Sequence, residues 1–525
     1  MQKKLLAVAV LSAFSGVAAA QSANVTLYGT IVQNVENVAA TGGDGSVTTT
    51  GSSARTGTAG QNGGARVAAT TAANGAPGVG DQGGRFRFNP AGSNFGLRGT
   101  EDLGNGLSAW FQIELSTNFG SNPPNGASNE GRAPTQRNSG VGLRSTTWGT
   151  ALFGVWDTPF NTMVNNLNLN SRVSGASTNH SAGLLGGNVF AQGAVSGQAT
   201  ASWCAPPPAV GTLTSLTTTA AGCMNFGMNF DRRERSTMQW WSPNWNGFEV
   251  RAAYNTTQDT GSNTVNGQAG GRNALKQSIW DLSLAYSNGP LYVGYAYERQ
   301  NDTMAAGART FYAAGGAATA MAGGEVNATA TATTGTWTTG TGFLAGTAGN
   351  YMSGSSATGH RLGARYTFSG VGPGSLGLGA MWESLQWNMT YAADTGTGGA
   401  AVAANLLSGL KKNAWRLQGN YAWGSHFISL DYTRANAMSG NITTVAGGVL
   451  GGNAAVAFDG SGTGSRAWML NYNYMLSKRT SIGAYYNTVR NDTNANYSGI
   501  VFGGITTTAP GSSPRYLGMQ LRHTF

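Results

Sequence analysis

The chain reads as an all-β protein, a 16-stranded antiparallel transmembrane β-barrel. Three observations predict this: a cleavable leader, segments that alternate apolar and polar side chains, and a composition too polar for membrane helices. Of 525 residues, 81 are Gly, 40% are hydrophobic, 10% aromatic and only 10% charged, with a mean hydropathy of -0.19. A membrane barrel needs apolar side chains only at every second position, on its outer face, so its average hydropathy stays near that of a soluble protein. Disorder is the rival reading of so much Gly, Ala, Thr and Ser, and the regular aromatic-rich segments argue against it.

The leader comes first. Lys3 and Lys4 precede an apolar run from Leu5 to Val17 that ends in Ala18, Ala19 and Ala20, so residues 1–20 read as a signal peptide and 21–525 as the barrel. The run is too short to span a bilayer as a helix, and no later stretch offers about 18 uninterrupted apolar residues. Loss of the two lysines lowers the formal charge from +10 to +8. That charge is thinly spread, with no dense Lys/Arg run interleaved with aromatics, so no nucleic-acid partner is expected.

Strands follow in a rhythm of short turns and long polar stretches, as in hairpins with tight turns on one side of a membrane and long loops on the other. The first strand is expected over Val25 to Val38. Strands near Arg85 to Thr100 and Leu107 to Phe119 flank a turn holding Asn105-Gly106, a strong turn pair; Pro90 marks a bulge or irregularity in the former. Further turns are expected at Ser145 to Gly149, Ser242 to Gly247, Ser287 to Pro290, Ser369 to Ser375, Trp423 to Ser425 and Leu476 to Arg479, which brings the count to about sixteen. Within the strands, Phe248, Val250, Ala252 and Tyr254 alternate with Glu249, Arg251, Ala253 and Asn255, and Trp468, Leu470, Tyr472 and Tyr474 with Met469, Asn471 and Asn473. Lipid outside and water inside account for both rows. The last strand, Arg515 to Phe525, keeps Leu517, Met519, Leu521 and Phe525 on one face, interrupted only by His523.

Three stretches carry a family resemblance: Val25-Thr26-Leu27-Tyr28-Gly29-Thr30, Gly96-Leu97-Arg98-Gly99-Thr100-Glu101-Asp102-Leu103-Gly104-Asn105-Gly106-Leu107, and Leu521-Arg522-His523-Thr524-Phe525. They resemble the general porins of Gram-negative beta-proteobacteria. The resemblance implies a trimeric outer-membrane barrel that passes small hydrophilic solutes and ions, with the third outer loop folded into the lumen as a constriction. It also implies that Phe525 is part of the signal read by the barrel-insertion machinery. No cofactor is implied.

The third loop would begin at Trp156-Asp157-Thr158-Pro159-Phe160 and run over about 157–235, a length that suggests function. It holds both cysteines, Cys204 and Cys223. In an oxidising compartment they are expected to form a disulfide, stabilising the loop by roughly 3 kcal/mol in the chain-entropy picture; a metal reading lacks further ligands with usable spacing.

Selectivity in a channel is electrostatic, basic rings favouring anions and acidic rings cations. The candidates are Arg98, Arg232, Arg233, Arg235 and Arg251, opposed by Glu114, Asp157, Asp231 and Glu234. Arg98 is opposite in parity to Phe95 and Leu97, so it should point into the lumen. Three arginines against two carboxylates in Asp231 to Arg235 favour a basic eyelet and an anion preference. The family's basic positions after Ser93 and after Gly154 are neutral here, Asn94 and Val155, with Arg85 and Arg87 as possible replacements.

The alternatives are a substrate-specific channel or a surface adhesin, both resting on the long Gly/Ala/Thr-rich loops Thr41 to Gly84 and Ala305 to Tyr351. An enzyme would need a base near a nucleophile, and the chain has only His180, His360, His426 and His523.

Overall fold

The structure is a computed structural model that describes residues 24–41, 82–90, 92–117, 135–170, 172, 184–187, 202–203, 224–225, 230–256, 278–301, 309–311, 319–321, 355–393, 402–443, 455–457, 462–492, 495, 497 and 513–525. The expected leader, His180, Cys204 and Cys223 lie outside these residues.

One sheet contains 20 hydrogen-bonded segments. Four of its strands are each broken in two, which leaves sixteen walls: β1 (Asn24–Thr41), β2 (Gln82–Asn89 and Asn94–Gly104), β3 (Leu107–Ser116), β4 (Thr135–Gln136 and Ser139–Ser145), β5 (Gly149–Asp157), β6 (Arg233–Trp241), β7 (Phe248–Thr256), β8 (Ser278–Asn288), β9 (Leu291–Asn301), β10 (Ser355–Val371), β11 (Gly374–Ala393), β12 (Val402–Trp423), β13 (His426–Ala435 and Ser439–Thr443), β14 (Ala455–Ala457 and Ser465–Met475), β15 (Thr480–Asn491) and β16 (Ser513–Thr524). Each strand pairs antiparallel with its sequence neighbours, and β1 pairs back onto β16 from Thr30↔Thr524 to Thr41↔Ser513. That closure removes the sheet edge, so no row of backbone donors and acceptors is left facing hydrocarbon.

The terminal residue completes the seam. Phe525 exchanges both backbone hydrogen bonds with Gly29, each at 3.1 Å. A side chain is disfavoured there, because a Cβ at residue 29 would lie 2.7 Å from the Asn94 carbonyl oxygen and 2.5 Å from the Phe525 ring. Asn105 (φ 53°) and Gly106 (φ 75°) adopt the paired left-handed conformation that a tight hairpin needs.

The expected irregularity in the second strand falls at Pro90, between the two halves of β2. Pro lacks the N–H that a ladder needs. Ser93 patches the gap: its hydroxyl accepts from Val32 N at 2.9 Å and donates to Val32 O at 3.0 Å.

Burial separates the two faces. In β14, Trp468, Leu470, Tyr472 and Tyr474 are 36–46% exposed, whereas Met469, Asn471 and Asn473 are 0–2% exposed. On β16, Leu517, Met519 and Leu521 are exposed while Tyr516 and Gln520 are buried. The polar intruder in that outer row, His523, is held by the Thr480 hydroxyl at 2.9 Å. Placing Lys at Leu470, in the middle of this outer band, is expected to lower stability by about 2–4 kcal/mol, measured by urea unfolding in lipid vesicles; unchanged stability would mean that this face does not meet lipid.

Candidate functional site

Directly after β5 the chain turns inward. Thr158 caps a nine-residue helix, α1 (Pro159–Leu167), its side chain accepting from Asn161 N, with Pro159 in the first turn. Phe160, Met163, Val164 and Leu167 are buried, a spacing of three, four and seven that puts them on one helical face. That face packs on the inner wall, since the strand residues it meets alternate with exposed outer residues such as Trp280, Leu282 and Leu284.

Polar side chains of the far wall anchor the segment by its backbone. Asp281 accepts from Phe160 N at 2.9 Å, and Glu298 accepts from the Thr158 hydroxyl at 3.3 Å. Gln418 accepts from Leu169 N at 3.0 Å, Asn420 donates to Leu169 O at 2.8 Å, and Asn170 donates to Asp431, which Arg416 neutralises at 2.6 Å. The densest node is Arg361, 0% exposed. It pairs with Glu383 at 2.7 Å and Asp231 at 2.6 Å, donates to Phe160 O at 3.0 Å, and lies 4.1 Å over the Phe160 ring. Glu383 also accepts from Gly186 N at 2.9 Å, and Lys412 donates to the carbonyls of Leu184, at 2.6 Å, and Gly187. Strands from β8 to β13 therefore hold one inward segment across the lumen.

Of the residues named from sequence, six gather where this segment leaves and rejoins the wall. Arg233 faces Asp157 in register and pairs with it at 3.0 Å; Asn138 accepts from Arg233 at 2.6 Å and donates to Asp157 at 2.9 Å. Glu114 pairs with Arg137 and accepts from Tyr28 at 3.0 Å. Arg232 pairs with Glu234, and Asp231 with Arg361. In the segment before β6, burial raises the Asp231 carboxyl above its ordinary value despite Arg361. It also pushes Arg232 down to about 10, against the pull of Glu298 and Asp281, which leaves it cationic at neutral pH.

The other three stand apart. Arg98 and Arg251 face the lumen nearer the short turns, Arg98 with its guanidinium 5.1 Å over the Tyr28 ring and Arg251 paired with Glu249 at 2.6 Å. Arg235 differs from the expected eyelet: the ladder shifts between Glu234 and Thr237, Ser236 takes a φ of 55°, and Arg235 lies exposed. The bulge sets it opposite Val155, on the same outer row as the exposed Phe153, and it makes no ion pair among the described residues. Of the suggested replacements, Arg87 is committed to Glu36 at 2.6 Å.

Arg361, Glu383, Lys412, Arg416 and Asp431 were missed from sequence. Their signal was available, since each is a charge on the inward parity of a strand. The helix too was legible, in Thr158-Pro159 followed by apolar residues at helical spacing. Replacing Arg361 with Met strands Glu383 and Asp231 and should destabilise the protein by about 3–5 kcal/mol while opening the inward segment to protease. Arg251→Met, which breaks a half-exposed pair, should cost about 1 kcal/mol or less. Equal unfolding midpoints and cleavage rates for the two variants would refute the anchoring role.

A family model described as Gram-negative porin matches residues 7–371. The chain is 28% identical over 211 residues to an outer membrane porin protein of Bordetella pertussis, covering 40% of this chain and 42% of that relative's length. In structure it resembles an anion-selective porin from Comamonas acidovorans, with a TM-score of 0.51 at 16% identity over 96% of this chain and all of that one; this likeness speaks to the fold. A match over well over half of the chain, on a closed sixteen-stranded barrel, establishes that the chain belongs to the Gram-negative porin family and resides in the outer membrane.

Proposed function

We propose that the protein is a water-filled diffusion channel for small hydrophilic solutes and ions, with a preference for anions, working as a homotrimer. The observation that carries the anion preference is the state of the lumenal charges. Of the acidic groups at the inward segment, Glu114, Asp157, Asp231, Glu234, Glu383 and Asp431 sit in ion pairs, while Asp281 and Glu298 are buried and accept hydrogen bonds from Phe160 N and the Thr158 hydroxyl. Arg98 and Arg144 are exposed and make no ion pair among the described residues. A mobile anion therefore meets uncompensated positive charge, and a cation meets carboxylates already paired or buried. Arg232 and Arg233 contribute to this field as members of pairs.

Catalysis finds little support. His360, His426 and His523 stand on the outer parity of their strands, each against a Tyr or Thr hydroxyl at 2.7–2.9 Å, away from the lumen. Phe525, with its backbone bonded to Gly29 and 39% of the residue exposed, is available to the insertion machinery and to lipid.

The constriction loop carries a disulfide between Cys204 and Cys223 in this reading. Its support is the ribbon formed by Ser202–Trp203 and Met224–Asn225, which pairs 202 with 225 and 203 with 224, the residues that adjoin the two cysteines in sequence. Unreduced, unfolded protein should resist thiol alkylation; two alkylated cysteines would refute the bridge.

In a planar bilayer under a KCl gradient, the reversal potential should report anion preference, and the Arg98→Ser/Arg144→Ser double variant should move it towards the cation side. A cation-selective parent, or a double variant with the parent's reversal potential, would overturn this account of selectivity.

A further inference from the structure

Near the short turns, three indoles meet inside the lumen. Trp110, Trp156 and Trp241 have ring centres 5.6, 5.7 and 6.2 Å apart, with Trp110 and Trp241 stacked at 30°. With Arg98, Arg144 and Gln112 they line a recess of about 440 Å³. The Arg144 guanidinium lies 5.6 Å over the Trp110 ring, as Arg98 lies over Tyr28. Trp110 is 6% exposed and its indole N–H has no partner among the described residues.

We propose that this recess is a binding site for small planar aromatic carboxylates. A guanidinium resting on a ring keeps its in-plane N–H donors free, and that fork matches the two oxygens of a carboxylate. Arg98 and Arg144 have spent no donor on an ion pair or hydrogen bond among the described residues. The indoles supply the complementary surface for a flat ring, through offset or edge-on contact.

The same chemistry discriminates against other solutes. A neutral sugar needs acceptors for its hydroxyls, and the nearby carboxylates are engaged, Glu114 by Tyr28 and Arg137 and Glu249 by Arg251. An aromatic cation meets two like charges, and a small inorganic anion leaves three indoles unused. The inference deepens the channel reading by naming a solute class, and it rests on the lumenal placement of these side chains. Equilibrium binding to the full protein in detergent micelles therefore tests it separately from conductance.

The experiment is isothermal titration with benzoate, acetate and benzyl alcohol at fixed pH and ionic strength. Benzoate should bind saturably, with acetate and benzyl alcohol each weaker by about tenfold or more, the scale of one charge-assisted hydrogen bond or one aromatic contact. Trp156→Leu and Arg144→Gln should each weaken benzoate by about tenfold. Arg144 is exposed, so its variant decides the matter even if Trp156→Leu fails to fold. Acetate binding as tightly as benzoate would reduce the recess to a patch of charge and overturn the proposal, as would benzoate binding that does not saturate or that survives Arg144→Gln.

Discussion

A chain that crosses a bilayer as strands has no water with which to satisfy its backbone, so every N–H and C=O of the wall must find a partner in another strand. The pairing of β1 with β16 meets that demand, and most of the other features depend on it. Closure makes one face of each strand meet lipid and the other a lumen, which imposes the period-two alternation on segments as far apart as β3 and β14. It also explains why local chemistry concentrates at the seam and at the breaks. Gly29 makes room for the Phe525 ring, and the Ser93 hydroxyl bonds both backbone groups of Val32 beside the break at Pro90.

Once closed, the barrel encloses a space whose polarity is free to vary, and the chain fills part of it with its own backbone. The inward segment brings polar groups that the far wall must match. Burying charges is expensive unless each is paired and hydrogen-bonded. Arg361 meets this requirement with two carboxylates, a carbonyl and an aromatic face, and Glu383 with two cations and a backbone N–H. Such a node contributes less to net stability than to position: an apolar plug could sit in several places, whereas these directional contacts admit one.

The same pairing shapes the field that a solute feels. Carboxylates spent on anchoring the segment are paired or buried, and the arginines Arg98 and Arg144 across the lumen are held on aromatic faces rather than by acids. Anchoring on β8 to β13 and the selectivity proposed for β2 to β4 are thus two sides of one charge distribution. Membership of the Gram-negative porin family accounts for the barrel, while this distribution belongs to the particular side chains of the chain.

The sequence by itself determined the strand count and which residues face lipid, because those properties follow from the spacing of turns and from a period of two. It also held the outline of α1 and of the inward charges on β10 to β13, unrecognised because a single charge in a strand gives no hint of its partner. Only the tertiary structure decided which charges meet. Arg361 and Asp231 are 130 residues apart and meet because Asp231 lies on the segment that leaves the wall, so no local pattern could pair them. Arg235 shows the converse: its neighbours suggested a place in the eyelet, and a bulge at Ser236, set by how β6 fits β5, turned it to the other face.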